Sequence, residues 1–233
     1  GKEAALRLEI RLLGSPTIRR GGEPVTGFRS AKAQALLYYL AARSQPVMRA
    51  TLLNLFWAEG AEEQGRTNLN QTLSNLRKVL GDVLLVTRQA VALDLQQVQL
   101  LDVRELAAAA HRAQTLAVEL LLEAAALYRG DLLEGFQVRD AAEFELWLGG
   151  ERERLREAAI TLLVEAARRH EAAGDVARTQ QALRALLRIE PWRESAHRQL
   201  MLLLARNGAR DAALAQYAAL RQALAGELDV EPD

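Results

Sequence analysis

Cysteine is absent from the 233 residues, so neither a disulfide framework nor a thiolate-held zinc site can form. Histidine is nearly absent. His111, His170 and His197 lie far apart, each inside a helical pattern, and read as partly exposed helix residues rather than as ligands or bases. No HExxH pair, GxSxG elbow or GxxxxGK-type phosphate loop occurs. Most carboxylates stand one helical turn from an arginine, as in "ERERLRE" at 151–157, the pattern of a solvated helix face. The acidic groups of "YRGDLLEGF" lack the spacing of an EF-hand. These absences point away from an enzyme, and no metal or cofactor is expected.

Aromatic residues are also scarce, with three Trp, four Tyr and four Phe. They are scattered rather than interleaved with basic residues, which argues against a base-stacking platform. Trp57, Trp147 and Trp192 sit among helical apolar positions and are expected to pack between helices. No apolar run approaches the ~18 residues of a membrane span, and the N-terminus lacks signal-peptide segments. A soluble, cytoplasmic protein without membrane contact is the expectation.

What is present is charge in balance but unevenly placed. Residues 1–100 hold 13 Lys and Arg against 8 Asp and Glu, whereas 101–233 hold 17 against 22. A basic first half beside an acidic second half suits a polyanion-binding module joined to one that avoids polyanions. Half of the residues are hydrophobic, enough for two modest domains, and a division at 1–100 and 101–233 is expected.

The first half mixes strands and helices. "LRLEIRLLG" alternates Leu6, Leu8, Ile10 and Leu12 against charged residues, the period of a half-buried strand. Ser15-Pro16 and Gly21-Gly22 mark turns around a second strand. Ser30 can cap a helix over "SAKAQALLYYLAARS", with Ala33, Leu36, Leu37 and Leu40 turned inward. "VMRATLLNLFWAEG" reads as a second helix burying Leu52, Leu53, Phe56 and Trp57. "GRTNLNQTLSNLRKVLG", Gly65 to Gly81, reads as a third, stopped by Gly81. "DVLLVTRQAVALDLQ" then gives a hairpin with Arg88 at its tip, and "VQLL" is expected to extend that sheet.

Beyond residue 100 the strand signal ends, and helical periodicity runs on with breaks at "YRGDLLEGF", "AAGD", "IEPW" and "RNGAR". Stripes such as Leu120, Leu121, Ala124 and Leu127, or Leu183, Leu186 and Leu187, mark candidate inner faces. Gly174 and Gly208 are 34 residues apart, the period of tetratricopeptide helix pairs. An antiparallel helix array is expected, and this half should fold by itself.

The third helix carries the most specific signal. Leu69, Leu73, Leu76 and Leu80 share one narrow stripe, while Thr67, Gln71, Ser74, Asn75 and Lys78 occupy the other face, flanked by Asn70 and Arg77. No acidic residue occurs from Arg66 to Leu80, although exposed helix faces usually favour Glu, Lys and Ala. Amide, hydroxyl and basic groups are those that bond base edges and phosphates. A 15-residue helix is roughly 22 Å long, and the major groove, about 12 Å wide, admits it. Strands, two helices, a polar-faced helix and a basic-tipped hairpin make a winged helix-turn-helix. The fold class expected is therefore mainly α with a small antiparallel β component: a winged helix followed by a tetratricopeptide-like antiparallel helix array.

The pieces "LRLEIRLLG", "AKAQALLYYLA", "LFW" and "RTNLNQTLSNLRKVLG" resemble the winged helix of the Streptomyces antibiotic regulatory protein (SARP) family, which is of the OmpR type. "YRGDLLEGF", "FELWLGGERERLRE", "IEPWRESAHRQLMLLLARNGARDAALAQY" and "GELDVEP" resemble its partner module, the bacterial transcriptional activator domain. The resemblance implies a transcription activator that binds direct repeats in double-stranded DNA as a head-to-tail homodimer and contacts RNA polymerase. By position it assigns Arg66, Thr67, Asn70, Gln71, Ser74, Arg77 and Lys78 to the recognition helix and Arg88 to the wing. The loop "AEGAEEQG" departs from the family by lacking proline. Its Glu59, Glu62 and Glu63 would repel DNA and are expected to face a protein partner or solvent. In larger members the two modules precede a nucleotide-binding switch ATPase, and the stop at "ELDVEPD" points to a piece of such a protein. The competing expectation is an interaction scaffold, with the helix array binding a partner and the winged helix serving as a docking or dimer module.

Overall fold

The alternation of Leu8 and Ile10 with Glu9 and Arg11 produces the strand it predicts. In the computed structural model, which describes residues 7–227, β1 (Leu8–Arg11) buries both apolar side chains completely. It pairs antiparallel with β2 (Thr17–Arg20), which pairs with the short β3 (Glu23–Pro24). Leu6 of the predicted strand lies outside the described residues, as do residues 228–232 of "GELDVEP".

Helix α1 (Ala31–Arg43) starts where Ser30 accepts a hydrogen bond from the Ala33 N–H at 3.1 Å, and it buries Ala33, Leu36, Leu37 and Leu40. After β4 (Val47–Met48) comes α2 (Arg49–Trp57). Its inner residues are Leu52, Leu55 and Phe56, while Leu53 and Trp57 are only half-buried, a correction to the expected set. Helix α3 (Glu62–Leu80) begins a turn earlier than expected, so Glu62 and Glu63 belong to it rather than to the preceding loop. Gly81, at positive φ, stops it as expected, its N–H donating to the Arg77 carbonyl. β5 (Leu84–Val86) and β6 (Ala90–Leu93) form the predicted hairpin, completed by β4 into a three-stranded sheet. "VQLL" does not extend it. As β7 (Val98–Leu101) this segment pairs parallel with β1 in the other sheet, where Leu101 is buried.

The remaining helices are α4 (Asp102–His111), α5 (Val118–Ala125), α6 (Ala142–Ala172), α7 (Val176–Ile189), α8 (Glu194–Arg206) and α9 (Arg210–Glu227). Two compact units result. One holds the described residues up to Ala107 together with Leu127–Leu155, and the other holds Ala108–Ala126 and the described residues from Arg156 onward.

Two features attach Leu127–Leu155 to the first unit. "YRGDLLEGF" pairs with the segment that follows β1, with Leu133 N–H donating to Leu12 O at 2.8 Å and Gly14 N–H to Asp131 O at 2.9 Å. The start of α6 adds Phe144 and Trp147 to an aromatic chain: Tyr39–Trp147 (4.6 Å between centroids), Trp147–Phe144 (5.4 Å), Phe144–Phe56 (5.2 Å) and Phe56–Trp57 (5.9 Å). Buried Asp102 binds the end of β1, accepting from the Leu12, Leu13 and Val103 N–H groups at 2.8–3.0 Å.

The second unit is the expected helix array. α7 buries Ala182, Leu183 and Leu186, α8 buries Leu200, Leu203 and Leu204, and α9 buries Leu220 and Leu224. Leu187 is half-buried, and in α5 the inner stripe is Leu121, Leu122 and Ala125, with Leu120 exposed. Two histidines expected at the surface are buried instead. His197 meets Pro191 O through Nε2 (2.8 Å) and the Gln216 amide through Nδ1 (2.7 Å), which ties α8 to α9. His170 is buried beside Asp175, 3.8 Å away. Trp192 is more exposed than the packing role expected of it.

Candidate nucleic-acid interface

The leucine stripe of α3 is buried as its spacing requires, with Leu69, Leu73, Leu76 and Leu80 each at most 4% exposed. Burial of that stripe turns Thr67, Asn70, Gln71, Ser74, Arg77 and Lys78 outward, and all are exposed. Arg77 and Lys78 occupy the last turn, where the helix dipole favours cations. The Arg20 guanidinium donates to Leu80 O at 2.7 Å and satisfies one of the carbonyls that the helix end leaves free.

The expected residues divide by what they touch. Gln71, Ser74, Arg77, Lys78 and Arg88 have no hydrogen bond or ion pair to another described side chain, so their polar groups are open to a ligand. Gln71 and Ser74 line an open concavity of about 780 Å³ together with Arg29, Lys32, Trp57 and Asn68. Among the described residues, no carboxylate lines it. Three others are engaged within the protein. Arg66 pairs with Glu62 at 2.5 Å, Thr67 Oγ1 donates to Glu63 O at 3.1 Å, and Asn70 Oδ1 accepts from Arg49.

Asn75 departs from the outer face on which its spacing puts it. It is buried, accepting from the Arg29 N–H at 3.1 Å and donating to Gly27 O at 3.0 Å, and so fixes the segment before α1 against α3. Arg88 stands exposed at the hairpin tip, in a turn held by Thr87 Oγ1, which accepts from the Gln89 and Ala90 N–H groups. Glu59 is exposed in the short α2–α3 connection, and Glu62 and Glu63 occupy the first turn of α3, where the helix dipole favours carboxylates.

The sequence reading missed Arg49. It opens α2, donating from its backbone N–H to Gln89 O at 2.9 Å and from its guanidinium to Asn70 and to Thr87 O (3.4 Å). A cation in the first turn of a helix opposes the dipole, and that local conflict was the available signal.

The sequence profile described as "Bacterial transcriptional activator domain" matches residues 93–233, more than half of the chain. The chain belongs to this family, in regulators of the SARP type. It is 32% identical to "Regulatory protein AfsR" of Streptomyces coelicolor and 28% identical to the protein of the same name from Streptomyces griseus, over 99% and 97% of its length. It spans about a quarter of those proteins, 24% and 23%. The structure titled Mycobacterium tuberculosis EmbR in complex with low affinity phosphopeptide superposes with a TM-score of 0.66 at 26% identity, covering 97% of this chain and 62% of the EmbR chain. The SARP resemblance and the expected fold, a winged helix followed by a helical array, are both borne out. Among the described residues, no group of side chains suits a metal ion and no helix is long and apolar enough to cross a membrane.

Proposed function

We propose that this SARP-type chain regulates transcription by reading double-stranded DNA with α3 and the β5–β6 wing, as part of a longer cytoplasmic activator. The observation that carries the reading is the outer face of α3. From Arg66 to Leu80 it has no carboxylate, and Gln71, Ser74, Arg77 and Lys78 stand exposed and uncommitted beside it. Arg88 on the wing would meet the neighbouring backbone or minor groove. Residues 1–100 would hold the DNA-binding function and 101–233 the activator function, a division of labour distinct from the two compact units. Binding would be to direct repeats as a head-to-tail homodimer. Glu59, Glu62 and Glu63 would face RNA polymerase, since carboxylates gain nothing beside phosphates.

Two substitutions test the reading. Gln71 can pair bidentately with an adenine edge, so Gln71→Ala should cost roughly 1–3 kcal/mol on the cognate site and relax one base pair. Lys78 meets a phosphate, so Lys78→Ala should weaken all duplexes alike and lower the salt slope by about one contact. Affinity is titrated against selected and scrambled duplexes at several salt concentrations. If both variants are folded and bind the selected site unchanged, α3 does not read DNA. A protein-docking role for the winged helix would then stand in its place.

A further inference from the structure

Arg49 touches two of the parts assigned to DNA reading and is exposed to neither as a free cation. Its backbone N–H is fixed on Gln89 O (2.9 Å) and one guanidinium nitrogen reaches Thr87 O (3.4 Å), both in the wing turn. The other terminal nitrogen donates to Asn70 Oδ1 on the outer flank of α3. A guanidinium has five N–H donors and no acceptor, so the Asn70 atom facing it must be the oxygen. The Asn70 amide is therefore held in one orientation, with its NH2 group without a partner among the described residues.

That orientation has a chemical consequence. An unconstrained asparagine reads adenine bidentately, accepting from N6 and donating to N7. At Asn70 a further donor brought to the oxygen would meet the fixed positive charge of Arg49. An acceptor brought to the NH2 group would be attracted by that same charge. Guanine presents two adjacent acceptors, O6 and N7, in the major groove, and thymine presents O4.

Resting on the DNA-reading proposal above, we infer that Arg49 is a specificity-setting positioning residue. It occupies one lone pair of the Asn70 oxygen and sets its charge against a second donor there, which biases Asn70 toward donating and directs one operator position to a keto base, guanine before thymine. Gln71, which no described side chain holds, keeps the amide freedom that suits adenine.

The test is selection from random duplexes with the whole chain, comparing wild type, Asn70→Ala, Arg49→Met and Arg49→Lys. Wild type should show a keto-base position that Asn70→Ala flattens. Arg49→Met should move that position toward adenine by roughly tenfold, leaving the other positions as they were. Arg49→Lys, which keeps a cationic donor, should retain the keto preference. The inference is overturned if the Asn70-dependent position is adenine in wild type, if Arg49→Met leaves it unaltered, or if all positions weaken together. Should Arg49→Met not fold, Arg49→Gln decides: an uncharged amide that can turn either way no longer fixes Asn70, so the same position must move toward adenine, and an unaltered keto preference overturns the inference. A wild-type chain that selects no sequence sinks the DNA-reading proposal itself. A chain that selects a site indifferent to Asn70 sinks only this inference.

Discussion

Phe144 lies in α6, well beyond the hairpin wing, yet its removal should destabilise the winged helix. Its ring is fully buried between Phe56 of α2 (5.2 Å) and Trp147 (5.4 Å). A Phe→Ala change at such a site costs roughly 3–5 kcal/mol, transfer and cavity terms together. Each lost aromatic pair accounts for about 0.5–1.5 kcal/mol of that beyond area alone. Against a domain stability of about 5–15 kcal/mol this is a large share. At about 3 °C per kcal/mol, Phe144→Ala should lower the melting temperature of the first unit by roughly 10–15 °C. Hydrogen exchange followed peptide by peptide separates the units: protection should fall across α1 and α2 and persist across α7 and α8. If α7 and α8 lose protection while α1 and α2 keep theirs, the assignment of Leu127–Leu155 to the first unit is wrong. The same packing changes the outlook for a fragment 101–233, because Leu132, Leu133, Phe144 and Leu148 would lose the partners that bury them.

Asn75→Ala should cost about 1–3 kcal/mol in urea unfolding, since the Arg29 N–H and Gly27 C=O lose a buried partner. Base preference should stay unaltered, and a changed preference at full stability would make Asn75 a reader instead. Burial pushes the Asp102 carboxyl above its ordinary range, opposed by the Leu12, Leu13 and Val103 N–H groups and by Arg129. Its contribution is therefore full below the unfolded pKa of about 3.9 and declines as pH rises through the native value. The stability gap between wild type and Asp102→Asn, measured by urea unfolding, should be wider at pH 4 than at pH 7, and a gap that narrows on acidification refutes this. Changing Glu59, Glu62 and Glu63 together to Gln should leave duplex affinity equal or slightly higher, and stability nearly so, because the Glu62–Arg66 pair is exposed. Promoter activation in a reporter assay should fall, and undiminished transcription removes the polymerase-facing role of these residues.

Local chemistry made much of this fold legible. Two-residue alternation marked β1, a 3.6-residue stripe marked α3, and Ser30 and Gly81 marked helix ends that the structure bears out. What stayed hidden depends on partners remote in sequence. "VQLL" has the composition of a strand, but nothing in it says that β1, some 90 residues earlier, will be its parallel neighbour. His197 has a helical residue's spacing, and only the Pro191 carbonyl and the Gln216 amide make its burial tolerable. Asn75 is on the wrong side of the wheel for a core residue and is buried because the segment before α1 folds over it.

The start of α3 was misread where one local signal had two physical meanings. Gly65 reads as a helix boundary, because glycine weakens helix interiors. It is instead buried within α3, where a Cβ would lie 3.4 Å from Trp57 Cβ and 3.5 Å from its carbonyl oxygen. A Cβ there would make only ordinary van der Waals contact with the end of α2, so the position tolerates glycine without requiring it, and the helix continues through it to Glu62. Once the helix starts at Glu62, the ion pair from Glu62 to Arg66 and the hydrogen bond from Thr67 to the Glu63 carbonyl follow from i,i+4 geometry. Both engage the N-terminal end of the outer face. The uncommitted groups thereby run from the NH2 of Asn70 to Lys78, the part of the helix from which base and phosphate contacts should come.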